Sequence, residues 1–224
     1  MEKRRVGILG GSFDPPTLAH AKLGDVFLNA LNLDEVRYVL ARQNPLKSNY
    51  AVGTTKQRWT MLMKMVEGHP KYSASDIEIV DELVYDEKGR YVKTDDERPS
   101  YAYNTMKAFE MCEPHTEFFF LGGSDILRKF YNWHKAEKLI EEFKIGISVR
   151  PPHSVASTIA PVREEHRGQI ILVEDPMPDM SSTDVRSFFD SGLDERAKVL
   201  LNGEIYEYIV RQRVYENPQV ARTV

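Results

Sequence analysis

The chain has 224 residues, with 30 Lys and Arg against 34 Asp and Glu, a formal net charge of -4 and a single cysteine. That length suits one large domain with a sizeable core, and the balanced charge argues against nucleic-acid binding by bulk electrostatics. One thiol excludes an internal disulfide and a cysteine-rich zinc site.

The start, MEKRRVGILGGSFD, lacks the apolar h-region of a secretory signal, and no apolar run approaches the ~18 residues of a membrane span. The expected address is the cytoplasm, with neither a membrane nor a nucleic acid as partner. Arg5–Leu9 reads as a buried strand running into Gly10-Gly11, and Ala19–Leu31 as a helix with Leu23, Val26, Phe27, Ala30 and Leu31 on one stripe. Glu35–Ala41 is a second strand. Thr54 or Thr55 caps a helix that runs through Val66 and ends at Gly68 and Pro70. Tyr72–Val80 is a third strand. Leu83–Lys93 is a hairpin around Glu87-Lys88-Gly89, and a polar loop follows to Pro99.

Tyr101–Met111 reads as a helix, with Cys112 a half-buried thiol at its end. Glu117–Leu121 (EFFFL) is the most apolar run, which marks a central parallel strand. Helical stretches continue through Phe143. Lys144–Val149 and Gln169–Val173 are further strands, joined by the loop at Arg150-Pro151-Pro152. Helices near Asp184–Asp190 and Glu204–Arg213 close the pattern. His69, His115, His134, His153 and His166 share no metal spacing and read as surface residues, so no metal ligand set is expected. Alternating strands and helices predict an α/β fold: a Rossmann-like doubly wound, mostly parallel sheet with helices on both faces. The expected organisation is one domain over 1–224, with an inserted hairpin and loop at 83–98 and a helical part at 181–224. Ligands of such a sheet bind beyond the carboxyl ends of its strands.

Two segments there carry chemistry. In GGSFDPPTLAH, Gly10, Gly11 and Ser12 follow the first strand, where glycine lets backbone amides approach a ligand. Phe13-Asp14-Pro15-Pro16 forces a turn, and Thr17 and His20 then share one helix face. A hydroxyl, an imidazole and the amides of a helix N-terminus suit a polyphosphate. In MSSTDVRSFF, Ser181, Ser182 and Thr183 precede a helix, and Arg186 lies one turn in. Alone this second segment reads as a capped surface helix.

The first segment resembles the (H/T)xGH signature of the nucleotidyltransferase superfamily, in the GG[ST]FDPxHxGH form of the nicotinate/nicotinamide mononucleotide adenylyltransferases. Thr17 stands where the first His is usual and Ala19 where Gly is usual. The second segment resembles the ISSTxxR motif of the same superfamily, with Met180 for Ile. Lys47 in QNPLK resembles the Lys of a Pro-x-x-Lys stretch, with Leu46 where His is usual. FFFLGGSDILRKFYNW resembles the GxDxxxxxxxW segment, and PSYAYNTM the PSYTxxT region.

The resemblance implies adenylyl transfer from ATP to a pyridine mononucleotide, with Mg²⁺ arriving on ATP. His20, Thr17, Lys47 and Arg186 would handle phosphates. Gly10, Gly11, Ser12, Phe13, Gly122, Asp125, Ser181, Ser182 and Thr183 would line the ATP site. Trp133, Thr105 and His134 would line the mononucleotide site. Nicotinate is the favoured acceptor base. Nicotinamide, a different acceptor such as phosphopantetheine, or a regulator that binds nucleotides without catalysis stay open. So does the oligomeric state, with a homodimer among the options. The hairpin at 83–98 is open between a lid, an oligomer contact and a tolerated insertion.

Overall fold

The computed structural model describes residues 3–42, 51–80, 84–85, 91–92, 101–150, 153–174 and 181–215. Strands that are apolar on both sides need cover on both sides. Along β1 (Arg4–Gly11), Val6 and Ile8 enter one buried cluster and Leu9 enters the other. Along β6 (Thr116–Gly123), Phe118 and Phe120 part from Phe119 and Leu121 in the same way. The two-residue period of a strand thus builds two cores from one apolar run.

One core receives α1 (Leu18–Ala30) through Leu23, Phe27 and Leu28, and α2 (Thr55–Val66) through Met61, Leu62 and Met65. It also receives α6 (Ser182–Asp190) through Val185 and Phe189, and α8 (Gly203–Gln212) through Ile205 and Ile209. The other receives α3 (Ala102–Cys112) through Tyr103, Met106 and Phe109, and α4 (Ala136–Glu142) through Leu139 and Ile140.

The main sheet includes β2 (Glu35–Leu40), β3 (Tyr72–Ser75), β7 (Lys144–Val149) and β8 (Ile170–Glu174). Its order is β3-β2-β1-β6-β7-β8, and every pairing is parallel. From β1 the chain steps outward to β2 and β3, then crosses back to β6 and steps outward the other way. The order reverses between β1 and β6, which makes their carboxyl ends the switch point. Leu9 pairs with Leu121, so Gly10-Gly11-Ser12 and Gly122-Gly123-Ser124 leave the sheet side by side. The expected Rossmann-like doubly wound sheet is what the chain forms.

Several local expectations are met. Thr54 caps α2: its hydroxyl accepts from Gln57 N–H at 3.2 Å, and Gln57 Oε1 accepts from Thr54 N–H at 2.9 Å. Gly68, at φ 79°, follows that helix as expected. β4 (Val84–Tyr85) and β5 (Tyr91–Val92) pair antiparallel within the expected hairpin. The rest of 83–98 lies outside the described residues.

Others are corrected. β3 stops at Ser75 rather than Val80, because the chain turns there, with Ile79 and Val80 N–H donating to Asp76 C=O. The helical stretch before β7 is a 3-10 segment, Ser124–Asn132, and then α4, broken by Lys135 in the left-handed region at φ 53°. Two short helices carried no periodic signal: α5 (Val155–Ile159) and α7 (Asp194–Lys198). Cys112 is exposed rather than half-buried. His166 is buried rather than superficial, its Nδ1 lying 3.0 Å from the Tyr131 hydroxyl.

Candidate active site

Residues of both motif segments collect around the switch point, and α1 explains how. Thr17 is its N-cap and is 2% exposed. Its backbone N–H donates to His20 Nδ1 at 3.0 Å, and its hydroxyl lies 2.8 Å from the same nitrogen. A backbone amide can only donate, so Nδ1 is an acceptor and the ring proton sits on Nε2. Thr17 therefore fixes the tautomer and tilt of His20. This revises the expected role of Thr17, because a buried hydroxyl bonded to imidazole does not present itself to a phosphate.

The imidazole is held from its flanks as well. Phe13, at φ 44° and buried, meets the His20 ring edge-on at 5.3 Å and 68°. Its ring also fills the space beside Gly11, where an added Cβ would lie 2.9 Å from Phe13 Cζ. The Phe13 side chain is thus a support beneath the site rather than a nucleotide contact. Tyr38 donates to the His20 carbonyl at 3.2 Å, and the Tyr72 hydroxyl lies 2.6 Å from the Ala21 carbonyl. Gly10 differs: it is exposed, and a Cβ there would meet nothing within 4 Å. No packing demand keeps it small, and the strand end stays open for a ligand.

The second motif docks on the first. Ser182 Oγ donates to Pro15 C=O at 2.8 Å, and Arg186 Nη1 donates to Asp14 C=O. Arg186 Nη2 donates to Thr183 Oγ1 at 3.1 Å. A guanidinium has five N–H donors, and these bonds use two of them, which leaves capacity for an anion. The amino ends of α1 and α6 are less open than expected. Leu18 N–H donates to Leu200 C=O at 2.9 Å. Ser181 caps α6 and is closed by Asp184, whose carboxylate accepts from Ser181 N–H at 3.0 Å and from its hydroxyl at 2.7 Å. Those bonds hold the Asp184 carboxyl below its ordinary range.

Beyond β6, Asp125 is exposed in the first turn of the 3-10 segment. It brackets Gly123 together with Arg150. An added Cβ there would lie 2.7 Å from Asp125 Oδ1 and 3.4 Å from Arg150 Nη2. Arg150 was not singled out in the sequence. Its position directly after β7, at a carboxyl end, is the signal that marks it.

Trp133 is half-buried against Phe120, at 5.8 Å and 84°, and Phe130, at 5.5 Å and 42°. Its ring N–H is buried with no acceptor among the described residues, and so is Asn104 Oδ1 with no donor. His134 stacks on Tyr101 at 4.4 Å. Thr105 is committed elsewhere: it is buried and donates to Glu78 Oε1 at 2.5 Å, so its expected contact with a nucleotide is replaced by a tie between α3 and the segment after β3. Lys47 lies outside the described residues.

Two residues that motif reading passed over carry the floor of the site. Asp14 is buried and accepts from Val52 N–H at 2.7 Å, Gly53 N–H at 3.0 Å and the Tyr215 hydroxyl at 2.8 Å. Arg58, 2% exposed, donates to the carbonyls of Ser12 at 2.9 Å, Ala41 at 2.8 Å, Arg42 at 3.3 Å and Gly53 at 3.2 Å. It thereby ties together the carboxyl ends of β1 and β2. Burial lowers its pKa, and the charge of Asp14 opposes that.

The cytidylyltransferase-like family matches residues 8–188. The probable nicotinate-nucleotide adenylyltransferase of Geobacillus thermodenitrificans is 30% identical over 210 residues, 94% of this chain and 81% of its own length. That of Bacteroides thetaiotaomicron is 29% identical over 219 residues, 96% of each chain. The fold matches Plasmodium falciparum nicotinic acid mononucleotide adenylyltransferase complexed with NaAD, at a TM-score of 0.71 and 21% identity over 95% of this chain and 97% of that one. The chain belongs to the cytidylyltransferase-like family of nucleotidyltransferases, among its nicotinate-nucleotide adenylyltransferases.

Proposed function

We propose that this enzyme transfers the adenylyl group of MgATP to nicotinate mononucleotide, yielding deamido-NAD and pyrophosphate in NAD biosynthesis. An oxygen of the mononucleotide 5′-phosphate attacks the α-phosphorus. The new P–O bond forms as the bond to the β-phosphate oxygen breaks, and pyrophosphate leaves with the electron pair. Both phosphates are ionised, so no general base is needed. Rate comes from alignment and from donors placed where negative charge builds. The observation that carries the reading is the Thr17–His20 pair at the switch point, which fixes a proton on His20 Nε2. That N–H donates to the phosphate being transferred.

Arg186, from its station on the Asp14 carbonyl, takes oxygens of the leaving pyrophosphate, and Lys47 joins it. Asp125 accepts from ribose hydroxyls beside Gly123. Trp133 offers a flat face to the pyridine and an orphaned N–H to an acceptor atom of the ligand. Mg²⁺ is assigned to the ATP phosphates as part of the substrate. Among the described residues no helix is long and apolar enough to cross a membrane, and the proposed compartment is the cytoplasm. The testing experiment compares kcat/KM for nicotinate and nicotinamide mononucleotides with MgATP, scored by pyrophosphate release. Preference for nicotinate is expected. Preference for nicotinamide, or release only with another phosphorylated acceptor, overturns the assignment of substrate.

A further inference from the structure

Asp14 lies in the turn of the first motif, where the second motif docks, yet its carboxylate faces inward, and the residue is 4% exposed. One of its three donors comes from far along the chain: Tyr215, itself 5% exposed, beyond the end of α8. We infer that Tyr215 and Asp14 form a positioning pair for adenylyl transfer, in which the Tyr215 hydroxyl holds the carboxylate that sets the turn carrying Thr17 and His20. Neither residue touches substrate. Both act through what they fix.

The geometry shows what that is. Asp14 Oδ1 accepts from Gly53 and Tyr215, and Oδ2 accepts from Val52 and lies 3.7 Å from Arg186 Nη1. A carboxylate held from both sides cannot rotate, and neither can the backbone that bears it. On one side of Asp14 is Phe13, which supports the His20 ring. On the other is Pro15, whose carbonyl receives Ser182. The fit is tight at Gly53, where a Cβ would lie 2.8 Å from Asp14 Oδ1 and 3.5 Å from the Tyr215 hydroxyl. Arg58 holds the carbonyls of Ala41 and Arg42 while Asp14 holds the amides of Val52 and Gly53. One buried cluster therefore pins the flanks on both sides of the segment that includes Lys47. Burial and the Asp14 charge push the Tyr215 pKa up, so the hydroxyl keeps its proton and stays a donor.

Tyr215→Phe tests the pair. It keeps the ring against Phe189, 6.1 Å away, and removes only the hydroxyl. The expected result is a folded enzyme with kcat lowered about 10-fold and KM for MgATP and mononucleotide within about 2-fold of wild type, because misalignment affects the transition state more than ground-state binding. Asp14→Asn should lower kcat at least as far, and the double variant should fall no more than about 2-fold below Asp14→Asn, since the two act as one unit.

A Tyr215→Phe kcat within about 2-fold of wild type overturns the inference. So does a loss that disappears at temperatures where the variant is fully folded, or losses that multiply in the double variant. The inference rests on reading the cleft as an adenylyl-transfer site. If wild type releases no pyrophosphate, that reading fails on its own, and amide hydrogen exchange judges the pair. Exchange at Val52 and Gly53 at least about 10-fold faster in Tyr215→Phe supports it, and unchanged exchange overturns it.

Discussion

The sheet has a buried carboxylate at each end, and the two are built differently. At the amino end, Glu35 is 6% exposed and accepts from Arg4 Nη2, from Arg37 Nε at 2.9 Å and from the Ser73 hydroxyl. Arg37 reaches on to Glu113 at 2.6 Å. This is an ion cluster of side chains that fastens the starts of β1, β2 and β3 to the turn before β6. At the carboxyl end, Asp14 accepts mainly from backbone amides and a phenol, with its arginines at a remove. Side-chain pairs hold elements together and leave the loops to their own course. A carboxylate bonded to amides dictates the course of the backbone itself, which is what a site needs.

The contrast is open to breakage. Asp14→Ala removes a carboxylate from between buried Arg58 and half-buried Arg186 and should reduce unfolding free energy by about 3–5 kcal/mol in denaturant melts, with most activity lost as well. His20→Ala should separate the two properties. We expect kcat to fall about 10²-fold or more, with a melting temperature within a few degrees of wild type. Retained turnover in that folded variant would remove His20 from the chemistry.

Glu35→Gln should do the reverse, destabilising by about 1.5–3 kcal/mol while kcat of the folded enzyme is unchanged. If it lowers kcat in proportion, the amino end is not merely a fastening. The same variant gives a pH test. Burial alone would raise the Glu35 pKa, but its bonds to Arg37 and Ser73 and the nearby charges bring it below the ordinary value. A depressed folded pKa contributes stability above the unfolded pKa, and that stability is lost as pH falls through the folded value. The gap in melting temperature between wild type and Glu35→Gln should therefore narrow below about pH 4. The smallest effect is expected at Thr17→Val, which loses one hydroxyl bond to His20 Nδ1 and keeps the backbone one. About 1 kcal/mol, or roughly 5-fold in kcat, is expected, and Thr17→Ser should restore it.

The fold was readable in the sequence because its signals are local. EFFFL announces a strand buried on both faces, and the Thr54–Gln57 spacing announces a helix start. The places of the motif segments were readable too: they follow β1 and β6 and precede α6. What each side chain does there was not. Thr17 looked like a phosphate donor and serves His20. Thr105 looked like a nucleotide contact and serves Glu78. Asp14 looked like a turn former and is a hub. In each case, chemistry consistent with the motif is redirected by a partner whose place only the packed chain decides. Arg58 reads as an ordinary helix residue until Ser12, 46 positions away, is seen to lie on its guanidinium.

The bond between Asp14 and Tyr215 spans 201 residues. Contacts that distant form late, because closing so long a loop is entropically expensive before other structure has shortened the path. The first motif leaves the ribosome early and can build its strand, but its turn has no phenol to receive until residue 215 has emerged. A nascent chain therefore holds the residues of the first motif in order and not yet in place. By this arrangement, the turn would become ordered late in folding, a timing that follows from where in the chain one tyrosine stands.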